Sequence, residues 1–93
     1  MRRIEYTNAF RRDFKREKAG RHGQKLDVLV ADAIALLAND EPMPPLYRDH
    51  SLSGSWNDHR DCHLKPDLVL IYRKPEKETV QLVRLGSHSE LFG

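Results

Sequence analysis

Residues 60–85, RDCHLKPDLVLIYRKPEKETVQLVRL, hold three short runs separated by two turn-forming clusters. Residues 68–74 are apolar and rich in Val, Ile, Leu and Tyr, and residues 79–85 repeat that character, while residues 60–64 are shorter and more polar. β-Branched and aromatic residues in such runs favour the pleated, half-buried surface of a sheet. Lys65-Pro66-Asp67 and Pro75-Glu76-Lys77-Glu78 are the intervening turns. A parallel crossover takes a dozen or more residues, so connections this short imply an antiparallel meander.

The first forty residues read differently. Residues 2–6 alternate charge with Ile4 and Tyr6, the pattern of a short strand with one buried face. Thr7 follows as an N-cap. Phe10 and Phe14 then lie four apart on one helical face, with Arg11, Arg12, Lys15, Arg16 and Lys18 on the others until Gly20 ends the run. A second helix spans residues 23–39, with Leu26, Leu29, Val30, Ala33, Ile34 and Leu37 as its buried stripe. Pro42, Pro44 and Pro45 stop it and favour an extended segment that delivers His50 to the next element. The expected fold class is α+β: an N-terminal strand and a two-helix hairpin packed on one face of a small antiparallel sheet, the other face partly open, with a short helical turn at the C-terminus. With 93 residues and no repeat, low-complexity tract or linker, residues 1–93 are read as one domain.

The net charge of +2 conceals a division. Residues 1–25 carry nine Lys or Arg against Glu5, Asp13 and Glu17, so the rest of the chain is net acidic. A basic end of this kind fits a polyanion or an acidic protein, or is simply a solvated helix face. Cys62 stands alone, which excludes an intrachain disulfide and fits a reducing compartment. Cations and polar residues follow Met1 where a secretory signal needs an apolar run, and residues 68–72 fall far short of the roughly 18 apolar residues of a membrane span. The expectation is a cytoplasmic, unprocessed chain with no membrane partner.

Chemistry-bearing residues crowd the second half: His50, the run Arg60-Asp61-Cys62-His63, Asp67, and His88 near Phe92. Imidazole, with an unperturbed pKa of about 6.5, both takes and gives a proton near neutrality. If residues 60–64 form a strand, Asp61 and His63 share one face while Cys62 points to the other. Cys62 and His63 are therefore poor joint metal ligands, and no Cys-x-x-Cys or His-Glu-x-x-His pattern is present. His59, His63 and Asp67 are the set a zinc site would draw on. Asp67 either orients an imidazole or stiffens its Pro-containing turn. Trp56 and Phe92 are packing residues or platforms for a stacked base, with packing favoured for Trp56. His59 is read as a surface residue and Cys62 as a small buried hydrophobe.

The pattern Tyr47-Arg48-Asp49-His50, Leu52-x-Gly54-Ser55-Trp56, Arg60-Asp61-x-His63, Pro66-Asp67, Leu70-Ile71-Tyr72 and Gly86-x-His88-x-x-Leu91-Phe92-Gly93 closely resembles the YafQ branch of the RelE/ParE toxin superfamily. The likeness covers essentially the whole chain. It implies a RelE-like fold and a bacterial type II toxin: a ribonuclease that cuts messenger RNA in the ribosomal A site and is neutralised by a cognate antitoxin. The family's functional positions fall on His50, His63, Asp67, His88 and Phe92, with Asp61 close by. Cutting RNA without a metal or other cofactor requires a base for the 2′-OH, an acid for the leaving 5′-oxygen and positive charge for the phosphate. On that scheme His50 and His63 assist the nucleophile, Asp67 orients or supplies charge, and His88 is the acid, with base and acid open to exchange. Arg84 is the expected cation, Phe92 holds a base or fixes the tail, and Arg11, Arg12, Lys15, Arg16 and Lys18 grip ribosomal RNA backbone. The alternatives are a ParE-like gyrase inhibitor that does not cut RNA, an inert partner in an antitoxin complex, and a free metal-dependent nuclease. Fold alone does not choose among them.

Overall fold

The computed structural model describes residues 1–93. In chain order the elements are β1 (Arg3–Tyr6), α1 (Asn8–Lys18), α2 (Gly23–Ala38), β2 (His50–Ser51), β3 (Arg60–Lys65), β4 (Leu68–Glu76), β5 (Thr79–Gly86) and α3 (His88–Phe92). Single 3-10 turns at Pro45–Tyr47 and Gly54–Trp56 flank β2. The strands form one five-stranded sheet in the order β1-β5-β4-β3-β2. As the sequence implies, β3, β4 and β5 are an antiparallel meander. The sheet is mixed, however, because β1 joins the far edge parallel to β5, with Arg3 opposite Thr79 and Tyr6 opposite Leu82. The helical hairpin between β1 and the meander supplies the long crossover that a parallel pair needs.

The second turn is shorter than expected. β4 continues through Pro75 to Glu76, across a register irregularity between Arg73 and Glu76 where proline's missing N–H is tolerated. Thr7 caps α1: its Oγ1 accepts from Phe10 N at 2.9 Å and donates to Val83 O at 2.8 Å, so one hydroxyl starts the helix and ties it to β5. α1 and α2 meet tightly at Gly23, where a Cβ would lie 2.1 Å from Lys18 O. Only glycine permits that approach.

Phe10, Leu26, Val30, Ala33 and Leu37 pack from the helices onto Cys62, Leu64, Leu68, Leu70, Tyr72, Val80, Leu82 and Leu85 of the sheet. The opposite face carries a smaller apolar cluster of Val69, Ile71 and Leu91, flanked by Leu52, Trp56 and Val83. α3 covers part of it through Leu91, leaving room beside it for polar side chains of β2 and β3. No helix is long and apolar enough to cross a membrane.

Candidate active site

Strand parity places Asp61 and His63 on the face away from the helices, opposite Ile71 and Val69 of β4. His50 pairs directly with Asp61 across β2 and β3. Ser87 caps α3 through a reciprocal box with Glu90, which sets His88 as the first helical residue. The His88 and His63 rings then lie 5.1 Å apart, and Phe92, one turn along α3, is 5.8 Å from His88. Trp56 meets Phe92 edge-on at 6.2 Å and His59 at 5.3 Å. Three histidines from three separate elements thus converge, with aromatic rings walling one side.

Their common neighbour is Asp61, whose carboxylate is buried at 1% exposure. Its Oδ1 lies 3.1 Å from His50 Nδ1, yet that nitrogen is hydrogen-bonded to Arg48 O at 2.8 Å, and Oδ1 has no hydrogen bond of its own. His63 Nδ1 is likewise buried and unpartnered. Burial pushes the Asp61 carboxyl up from its ordinary range, and the charges available from His50, His63 and His88 offset this only in part. A buried carboxylate short of donors is held there at a cost, as functional groups commonly are.

Neighbouring residues fix His50. Asp49 accepts from Tyr72 Oη at 2.5 Å and from Arg60 Nη2 at 3.0 Å, pinning the chain one residue before the histidine. Arg48 adopts the left-handed region, φ 48°, which non-glycine residues occupy rarely. Asp49, Tyr72 and Arg48 support the site; all three stand in the pattern that carries the family resemblance, but the sequence gives them no role, because their contacts to one another and to His50 come from separate segments.

The remaining expected residues lie elsewhere. Asp67, in the β3–β4 turn, pairs with Arg21 of the α1–α2 connection. Arg84 donates from Nε and Nη2 to Asp13 at 2.6 and 3.2 Å. On α1, Arg16 also binds Asp13, Lys18 pairs with Asp27 at 2.5 Å, and Arg11 sits over the Tyr6 ring at 5.2 Å. Arg12 and Lys15 are exposed, and neither forms an ion pair. The set a zinc site would draw on, His59, His63 and Asp67, does not assemble, because His59 turns to Asn57 O and Trp56 while Asp67 turns to Arg21. The donor atoms of Asp61, His63 and His88, by contrast, all lie within 4.8 Å of one another. Cys62 is fully buried, with its thiol pKa pushed up by burial.

Residues 2–93 match the family model described as the bacterial toxin of type II toxin–antitoxin system, YafQ. The chain belongs to the YafQ family. It is 39% identical over 94 residues to the mRNA interferase toxin YafQ of Escherichia coli strain K12, covering 100% of this chain and 98% of that protein. Its fold superposes on a chain of the E. coli DinJ–YafQ complex with a TM-score of 0.81, at 33% identity and with both chains fully covered. A metal-bound toxin from Helicobacter pylori is also similar, with a TM-score of 0.82 at 42% identity, covering 99% of this chain and 100% of that one. YafQ membership fits the RelE-like α+β architecture and does not favour the gyrase-inhibitor alternative.

Proposed function

We propose that this chain is the toxin of a type II pair, an endoribonuclease that cuts messenger RNA in the ribosomal A site and is held inactive by a cognate antitoxin. Residues 1–93 act as one toxin domain working in the cytoplasm. The observation that carries the chemistry is the meeting of His50, His63 and His88 around buried Asp61. His50 or His63 takes the proton of the 2′-OH, and the resulting oxygen attacks the adjacent phosphorus. The P–O5′ bond breaks as His88 delivers a proton to the departing 5′-oxygen, leaving a 2′,3′-cyclic phosphate. No metal is needed for this balance. Asp61 stabilises whichever imidazole carries positive charge during the transfer. Phe92, facing His88 and Trp56, stacks on a base beside the scissile bond.

Arg84 supplies charge to the phosphate. Asp13 engages its Nε and Nη2, leaving Nη1 as the free donor. Asp67 orients an imidazole or supplies charge from the β3–β4 turn, where Arg21 pairs with it. Arg11, Arg12, Lys15, Arg16 and Lys18 form the basic side presented to ribosomal RNA, with Arg11, Arg12 and Lys15 free of the ion pairs that engage Arg16 and Lys18.

The donor cluster of Asp61, His63 and His88 supports a second reading, in which a divalent ion sits among them. Such an ion would occupy the nitrogen lone pairs that proton transfer uses. Primer extension on an mRNA in a reconstituted translation system, with purified antitoxin-free protein, separates these readings. In-frame cuts that require ribosomes, survive chelation and fade in His88→Ala support acid/base cutting. Loss of cutting on chelation with recovery on adding metal supports the ion, and no cutting by wild type overturns both.

A further inference from the structure

β1 ends opposite Leu82, but β5 continues to Gly86, so the last residues of β5 present an edge with no strand beside it. α1 fills that edge with side chains. Leu85 N donates to Asp13 Oδ2 at 2.9 Å, and Leu85 O accepts from Arg16 Nη2 at 2.9 Å, mimicking the two bonds of a missing strand. Arg16 has donors to spare. Its Nη1 bonds Asp13 Oδ1 at 2.9 Å, and its Nε, which donates to Glu17 Oε2 at 3.2 Å, also lies within ion-pair reach of Glu90 Oε2 on α3, at 3.2 Å.

Glu90 closes the chain of contacts. Its Oε1 accepts from Ser87 N at 2.9 Å while its own N–H donates to Ser87 Oγ at 3.2 Å, so the turn that presents His88 is bounded at both ends by this pair. Arg16 and Glu90 meet over Gly86, where an added Cβ would lie 2.9 Å from Arg16 Nη2 and 3.0 Å from Glu90 Oε1. α3 has only five residues, too few for an isolated helix to hold itself in water. Its angle against the sheet is therefore set by Leu91 from below and by this bridge from the side.

We propose that Asp13, Arg16 and Glu90 are positioning residues for His88: a side-chain bridge from α1 that fixes the orientation of α3 and thereby the imidazole. The proposal rests on the reading of His88 as an acid in RNA cutting. It also gives Arg16 a task other than gripping ribosomal RNA, and the two tasks separate kinetically. Loss of an RNA contact raises the half-saturating ribosome concentration and is salt-sensitive. A misplaced acid lowers the maximal cutting rate.

The experiment measures both constants for wild type, Glu90→Ala, Glu90→Gln, Arg16→Ala and the double variant Arg16→Ala/Glu90→Ala, each checked for folding by thermal melt. A misplacement of about 1 Å costs up to about 100-fold in rate, so Glu90→Ala and Arg16→Ala are each expected to lower the maximal rate by about 10- to 100-fold. Glu90→Gln keeps the capping hydrogen bond but loses the charge that Arg16 meets, and should fall between wild type and Glu90→Ala. The double variant should be no slower than the slower single, because both act on one bridge. Backbone 15N relaxation should show residues 88–92 loosened in each slow variant. Folded Glu90→Ala and Glu90→Gln cutting at the wild-type maximal rate would overturn the bridge, as would multiplicative losses in the double variant. Should Arg16→Ala fail to fold, the half-exposed Glu90 variants still decide. His88→Ala separates the two ideas: if it cuts like wild type, the acid assignment is wrong, whereas a dead His88→Ala beside fully active Glu90 variants refutes only the bridge.

Discussion

Replacing Asp13 with alanine should destabilise the fold by about 3 kcal/mol. Asp13 is 3% exposed and accepts from Leu85 N at 2.9 Å, Arg16 Nη1 at 2.9 Å, and Arg84 Nε and Nη2 at 2.6 and 3.2 Å. Leu85 is fully buried, and stranding its N–H costs about 1–3 kcal/mol. Cutting one partner out of a buried ion pair typically costs about 3–5 kcal/mol, but the Arg84 and Arg16 side chains are 30% and 42% exposed and regain water, so only part of that applies. A loss of about 3 kcal/mol corresponds to a fall in Tm of roughly 12–24 °C for a domain of this size. Asp13→Asn keeps an acceptor for Leu85 N and should lose about half as much. Burial by itself would raise the Asp13 pKa, but the hydrogen bonds from Arg84, Leu85 N and Arg16, with the charge on Arg84, bring it below its ordinary value. A depressed carboxylate stabilises the fold above the unfolded pKa of about 3.9 and loses that contribution as pH falls through the folded value. Urea melts of wild type and Asp13→Ala at pH 7 and at pH 3 measure the difference. It should be largest at pH 7 and shrink at pH 3. A difference below 1 kcal/mol at pH 7, or one of the same size at both pH values, would refute the argument.

Asp61→Asn should move stability and activity in opposite directions. The folded carboxyl has a raised pKa because burial penalises its charge, so its stability contribution falls as pH rises from the unfolded value through the folded one. The neutral isostere should therefore raise Tm at pH 7 while slowing mRNA cutting by about 100-fold, read by thermal melt and primer extension on the same preparation. Gly23→Ala places a methyl 2.1 Å from a backbone oxygen, so it should destabilise by about 2 kcal/mol or more in urea melts, despite alanine's better helix propensity.

Elements set by local pattern are legible in the sequence. The 3.6-residue spacing of Leu26, Val30, Ala33 and Leu37 and the turn residues around Pro66 lead directly to α2 and the meander. The face shared by Asp61 and His63 follows from strand parity alone. Contacts across distant parts of the chain are not legible that way. Nothing in residues 2–6 says that they add parallel to β5, because their alternation shows that one face is buried and not which strand edge they join. The Arg21–Asp67 pair spans 46 residues and depends on how the hairpin lies over the sheet. Asp13 did leave a trace: it sits three residues after Phe10 and one before Phe14, on the buried face of a basic helix. An acid in that position asks for a partner.

Asp13 and Asp61 show how the chain divides its labour. Both carboxylates are nearly inaccessible to water, and their environments drive them in opposite directions. Asp13 is surrounded by donors from α1 and β5, and its charge is bound into the frame that carries α3. Asp61 has histidines about it but Oδ1 lacks a hydrogen bond, so its charge remains to be answered by a proton arriving on an imidazole. Environments that separate two like groups in this manner mark which one serves structure and which serves proton transfer. The stability lost at Asp61 is tolerable because the satisfied carboxylate at Asp13 holds the neighbouring strand end and helix in place. Weakening Asp13 should therefore damage cutting through geometry, whereas neutralising Asp61 should damage it in a protein that is more stable than before.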